Sequence, residues 1–91
     1  MTEESTVPRT REFVKYANRK IHEVGSDESY VTMMEIHAAV RAGSVIKVTE
    51  DATGADLTAF TLARLVYDRA RRDADAFKAE DLRRLIREGR A

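Results

Sequence analysis

Phe13-Val14-Lys15-Tyr16-Ala17-Asn18-Arg19-Lys20-Ile21-His22-Glu23-Val24 is the stretch whose reading decides the fold. Phe13 to Ala17 has the β-branched and aromatic content of a short strand. Asn18 suits a turn or bulge, and Ile21 to Val24 reads as the antiparallel partner. A hairpin near the N-terminus is therefore expected, and its tip is unusual: Lys15 to Lys20 hold three cations, an aromatic and an amide in six residues. Charge and hydrogen-bond donors presented together suit a phosphate backbone or another dense anion. The plainer alternative is a solvated turn in which Tyr16 fills a small core and the cations keep an edge strand soluble. Composition alone favours the plainer one.

Working outward, Gly25 to Ser29 reads as a loop and Tyr30-Val31 as a brief third strand. Thr32-Met33-Met34-Glu35 matches a capping box, in which threonine and glutamate side chains satisfy exposed backbone donors at a helix start. Met33, Ile36, His37 and Val40 follow at helical spacing, and Gly43 suits a left-handed cap, so a first helix is expected over about 33–42. Val45 to Thr49 is the clearest strand. Asp51-Ala52-Thr53-Gly54 is a turn, and Ala55-Asp56-Leu57 is expected to pair back briefly. Thr58 is the expected N-cap of a second helix carrying Leu62, Leu65, Val66 and Arg69 and running to about Arg72. Asp73-Ala74-Asp75 interrupts it. A third helix, Ala79 to Glu88, places Leu82, Leu85 and Ile86 on one side and stops at Gly89.

The expected class is α+β: a hairpin of short antiparallel strands, a helix, a further strand and two C-terminal helices in one small domain. Residues 1–11, polar and containing Pro8, read as a flexible arm, and residues 12–89 as the domain. A 91-residue chain has a small core, so self-association would help it.

The formal net charge of zero argues against a uniformly basic nucleic-acid binder, but the charges are segregated. Residues 9–20 hold Arg9, Arg11, Lys15, Arg19 and Lys20 against Glu12 alone, whereas residues 21–63 hold seven acids against Arg41 and Lys47. Two later basic clusters, Arg64/Arg69/Arg71/Arg72 and Arg83/Arg84/Arg87/Arg90, read as the wet faces of helices.

There is no cysteine, which removes disulfides, thiolate metal sites and a cysteine nucleophile. His22 and His37 fall on different elements without acidic neighbours at metal-ligand spacing, so no metal is expected. No phosphate-binding glycine loop, nucleophile elbow or triad is present, and Asp27/Glu28 and Glu80/Asp81 suit loop solubility and helix N-terminal charge. Met33 and Met34 are expected in the core. Neither an enzyme nor a cofactor is expected. Met1 to Thr10 carries Glu3 and Glu4 and no apolar run, and nowhere do eighteen apolar residues stand together, so neither secretion nor membrane spanning is expected and the cytoplasm is the default.

Lys15-Tyr16-x-Asn18-Arg19-Lys20-Ile21, then Tyr30-Val31-Thr32, then Asp51-x-Thr53-Gly54-x-Asp56-Leu57-Thr58 resembles the DNA-binding domain of polyhydroxyalkanoate (PHA/PHB) synthesis repressors. Asp81 to Arg87 resembles the segment that follows this domain, so the similarity covers about residues 12–89. The resemblance implies a repressor-like transcription regulator that binds promoter duplex and is released when polymer or granules accumulate. It also implies a homodimer or homotetramer, and the polymer or a granule protein as a further partner. Lys15, Tyr16, Asn18, Arg19 and Lys20 would stand at the DNA-facing hairpin, with Tyr30 and Thr32 closing the fold behind it; the basic segment itself adds Arg9 and Arg11 as expected DNA contacts. Two departures stand out. The family usually continues after the basic pair with leucine, tyrosine and aspartate, where this chain has Ile21, His22 and Glu23, and it commonly carries a longer C-terminal tail than the one ending here at Ala91. The alternatives are a small oligomeric protein-interaction adaptor, associated with storage granules or with another partner, docking through apolar helix faces without DNA binding, and a DNA binder without sequence preference.

Overall fold

The computed structural model describes residues 9–27 and 30–90. Most of the proposed arm, with Pro8, lies outside the described residues, as do Glu28 and Ser29 of the loop after the hairpin. The elements are β1 (Thr10–Lys15), β2 (Ile21–Glu23), α1 (Met33–Arg41), β3 (Val45–Glu50), α2 (Thr58–Arg72) and α3 (Ala79–Glu88). The α+β class and the element order agree with the sequence reading. β1 begins earlier than expected and takes Thr10 and Arg11 into the sheet.

The three strands form one sheet in the order β2-β1-β3. β1 and β2 are antiparallel, with Val14 opposite His22 and Lys15 opposite Ile21. β1 and β3 are parallel, with Phe13 opposite Val48. A parallel neighbour cannot be reached by a tight turn, and α1 supplies the crossover. β1 is thereby the central strand.

Alternation along the strands puts Phe13, Ile21, Ile46 and Val48 on one face, where they pack with Ile36 and Ala39 of α1 and Leu65 of α2. Phe13, Ile36 and Val48 are essentially fully buried. Val31, Met33, Val40, Leu57 and Leu62 complete the cluster. Met34 points outward, 71% exposed, so only the first methionine of the pair serves the core.

The ends of α1 follow the local chemistry of its residues. The Thr32 hydroxyl accepts from Glu35 N–H at 3.1 Å, and the Glu35 carboxylate accepts from Thr32 N–H at 3.2 Å, closing the capping box. At the other end Gly43 takes φ +99°, its N–H donates to Val40 O, and Ser44 N–H donates to Ala39 O. That pair of bonds is a Schellman motif, which needs a residue tolerant of positive φ.

Two expectations are corrected. Tyr30-Val31 is not a strand: Val31 makes one isolated bridge to Ile21, donating its N–H to Ile21 O at 2.8 Å and covering the outer edge of β2. Thr58 does not cap α2. The Asp56 carboxylate accepts from Thr58 N–H at 2.9 Å, while the Thr58 hydroxyl turns back to accept from Val48 N–H at 2.9 Å. Val48 lies on the outer edge of β3, and a buried edge donor without a partner costs more than an exposed helix end that water can satisfy. The brief return pairing of 55–57 is present as a bridge between Thr49 and Asp56, after a turn in which Gly54 has φ +76°.

α3 forms over the expected residues but buries none of them. Leu85 is 63% and Ile86 78% exposed. Its arginines are tied to acids on the same helix, Arg83 and Arg87 to Glu80 and Arg84 to Asp81. No helix among the described residues is long and apolar enough to cross a membrane.

Candidate nucleic-acid interface

The hairpin tip is a tight, internally bonded loop. Tyr16 N–H donates to Lys20 O and Arg19 N–H to Tyr16 O, both at 2.9 Å, which leaves Ala17, Asn18 and Arg19 as the connection. Three-residue connections of this kind place their last residue in the left-handed region, where glycine is usual. Here that residue is Arg19, with φ +72°, the only non-glycine residue with positive φ among those described. The conformation costs a β-carbon-bearing residue about 1–2 kcal/mol. Asn18 supports it, its Oδ1 accepting from Lys20 N–H at 3.0 Å. Of the two roles open to Asn18, shaping the turn is the one its amide oxygen performs here.

The cations of the tip separate onto two sides. Lys15, at the end of β1 on the core-side face, holds its ammonium 5.8 Å from the centroid of the Phe60 ring in the first turn of α2. Lys15 and Arg19 line a cleft whose other wall is Phe60, Thr61 and Arg64. On the other side, the Lys20 ammonium lies 4.9 Å from the Tyr30 ring, and Tyr16, Asn18, His22 and Tyr30 border a second, shallower concavity. Tyr30 is 50% exposed and therefore stands beside the hairpin instead of closing the fold behind it. Thr32, given the same closing role, is spent on capping α1.

Arg11 and Arg9 differ from the tip residues. Arg11 is on β1 and makes a two-point ion pair with Glu23 of β2, above the Phe13 ring. The Arg11 hydrogen bond holds the Glu23 carboxyl below the usual glutamate range, while the same bond raises the already high Arg11 value. Arg9 is exposed, and its carbonyl accepts from Val45 N–H where β1 and β3 begin.

The sheet face opposite the helices carries exposed Glu12, Val45 and Lys47 and half-buried Val14 and His22. Of Ile21, His22 and Glu23, only His22 is on this face. Phe60 and Arg64 are the residues beside the tip that the sequence reading left aside. In sequence Arg64 reads as the wet face of a helix, and Phe60 carries no motif. Their spacing of four within a predicted helix carried a signal, since it puts an aromatic and a cation on one side of a turn.

Among the described residues no group of three histidines, cysteines or acids is placed to hold a metal ion. What the tip offers is half-buried Lys15 and exposed Arg19 and Lys20 with aromatic neighbours on a strained turn, an arrangement that suits a polyanion.

These features define a small α+β module with a cationic, aromatic-flanked hairpin. The family described as the PHB/PHA accumulation regulator DNA-binding domain matches residues 13–73, more than half of the chain, and the chain belongs to it. This is a regulator family and not an enzyme family. No curated protein and no solved structure matches the chain.

Proposed function

We propose that this domain is a sequence-specific, repressor-like regulator that binds promoter duplex of polyhydroxyalkanoate synthesis genes in the cytoplasm. The observation that carries the reading is Arg19 in a left-handed backbone conformation at the tip of the hairpin, flanked by Lys15 and Lys20, in a chain of a DNA-binding family. A strained arginine where glycine would relax the turn is best understood if its guanidinium has work outside the fold. Arg9, Lys15, Arg19 and Lys20 supply phosphate contacts, Tyr16 buttresses the turn, and Asn18 keeps it closed. Arg11 contributes by fastening β1 to β2.

Four phosphate contacts predict a slope of log affinity against log salt of about −3 to −4. The Arg19→Ala/Lys20→Ala double variant should keep its circular dichroism spectrum and lose binding to a promoter fragment. Undiminished binding by the folded double variant would end the proposal. Release by polymer or granule protein belongs to the same reading and predicts that either added component frees the DNA.

Self-association is the second element. The side of α3 that carries half-buried Leu82 and exposed Leu85 and Ile86 suits a second copy. Leu85→Asp with Ile86→Asp should lower the sedimentation mass toward the monomer with the fold intact. An adaptor without DNA binding would show the same loss of mass and no salt-sensitive DNA affinity at any stage.

A further inference from the structure

We infer that the outward face of α2 is the second half of the DNA interface, with Phe60, Arg64, Tyr67 and Arg71 contacting the duplex beside the hairpin tip. The inference rests on the DNA-binding reading and adds to it a surface on a different element. At helical spacing these four residues fall within one exposed stripe, roughly a third of the way round α2 from the side that Thr61 and Leu65 bury. The solvent-facing side of an amphipathic helix is normally polar. This one exposes two aromatic rings, Phe60 at 59% and Tyr67 at 57%, and interleaves them with cations.

The stripe has no acid in it. Asp68, at its border, stands 3.7 Å from Arg64, a long and largely exposed pair that a phosphate could replace. The Arg71 guanidinium lies 5.6 Å from the Tyr67 ring, so the ring pre-orients the cation without neutralising it. α3 is the internal contrast, since its arginines are matched by Glu80 and Asp81. The two basic helix clusters look alike in sequence and differ in charge available to a partner.

Continuity supplies the second argument. The cleft walled by Lys15 and Arg19 on the hairpin and by Phe60 and Arg64 on α2 joins the two surfaces into one. From Phe60 to Arg71 the stripe runs about 16 Å along the helix, and a helix with small residues such as Ala59 and Ala63 beside its aromatic stripe fits the width of a major groove. Arginine forks suit phosphates and guanine edges, and the rings suit deoxyribose and thymine methyl groups.

The test uses the full chain and a duplex selected by it from a random-sequence pool. Arg64→Gln/Arg71→Gln and Phe60→Ala/Tyr67→Ala are measured beside Arg19→Ala/Lys20→Ala, each checked for native circular dichroism and melting. Exposed positions should tolerate these changes, and Arg64→Lys/Arg71→Lys provides a milder pair that keeps the charge. The glutamine pair should lose about tenfold or more in affinity for the selected duplex, with the aromatic pair also weakened. A smaller loss in the glutamine pair, with the hairpin variant still defective, overturns this inference and leaves the hairpin reading standing. Failure of wild type to prefer the selected duplex over random DNA overturns both.

Discussion

The Arg11 guanidinium meets the Glu23 carboxylate at two points, Nε to Oε2 at 2.8 Å and Nη2 to Oε1 at 2.7 Å, across the β1–β2 pair and on the same face as Phe13. Glu23 faces Phe13 directly and Arg11 diagonally, so the pair clamps the hairpin at its open end while the tip is closed by backbone bonds. The side chains are 29% and 19% exposed, shielded enough to give the two-point pair weight beyond that of a surface ion pair.

A double-mutant cycle on Arg11→Ala and Glu23→Ala should return a coupling of about 1–2 kcal/mol by denaturant unfolding. Additive effects of the two changes would mean that the pair contributes through packing alone.

The same pair sets an acid sensitivity. The folded Glu23 carboxyl titrates below its unfolded value of about 4.3, so its contribution is complete above that pH and disappears as pH falls through the lower folded value. Stability measured from pH 7 down to pH 2 should fall less steeply in Glu23→Gln than in wild type. Parallel curves would assign the acid response to other carboxylates.

Arg19→Gly should raise stability while lowering DNA affinity. Relief of the positive φ offsets the greater chain entropy of glycine, for a net gain of about 0.5–1 kcal/mol, visible as a melting temperature higher by a few degrees. A variant that melts lower would show that the arginine side chain stabilises the turn.

Phe13→Ala removes the largest buried side chain of the central strand and should cost about 3–5 kcal/mol, a large part of the stability of a domain this size. Urea titration followed by circular dichroism checks it, and a loss near 1 kcal/mol would mean that the core collapses around the vacancy.

Thr58→Val keeps the shape of the side chain and removes the hydroxyl that accepts from Val48 N–H, leaving that edge donor unpaired. A loss of about 1–2 kcal/mol is expected, with Thr58→Ser close to wild type. If valine and serine behave alike, water satisfies the β3 edge.

Much of the fold was legible because its signals are local. The capping box at Thr32, the glycines at 43 and 54, and the period of Leu82, Leu85 and Ile86 each depend on residues a few positions apart. The Thr58 cap was misread because a hydroxyl within reach of both a helix end and a strand edge is assigned by the distant partner, Val48, which no local pattern contains. The hairpin cations were legible as a cluster. Their separation toward Phe60 on one side and Tyr30 on the other was not, since it depends on how α2 and the segment before α1 pack against the sheet.

What the sequence by itself determined is the set of elements, the hairpin with its charged tip, and membership of a DNA-binding regulator family, all encoded in short-range spacing and in motifs in register along the chain. Tertiary structure alone decided that β1 is central and parallel to β3, and that Arg11 is paired with Glu23 while Lys15 and Arg19 face α2. Those outcomes depend on contacts between residues far apart in the chain, and their energies arise only once the buried face of the sheet has chosen which helices cover it.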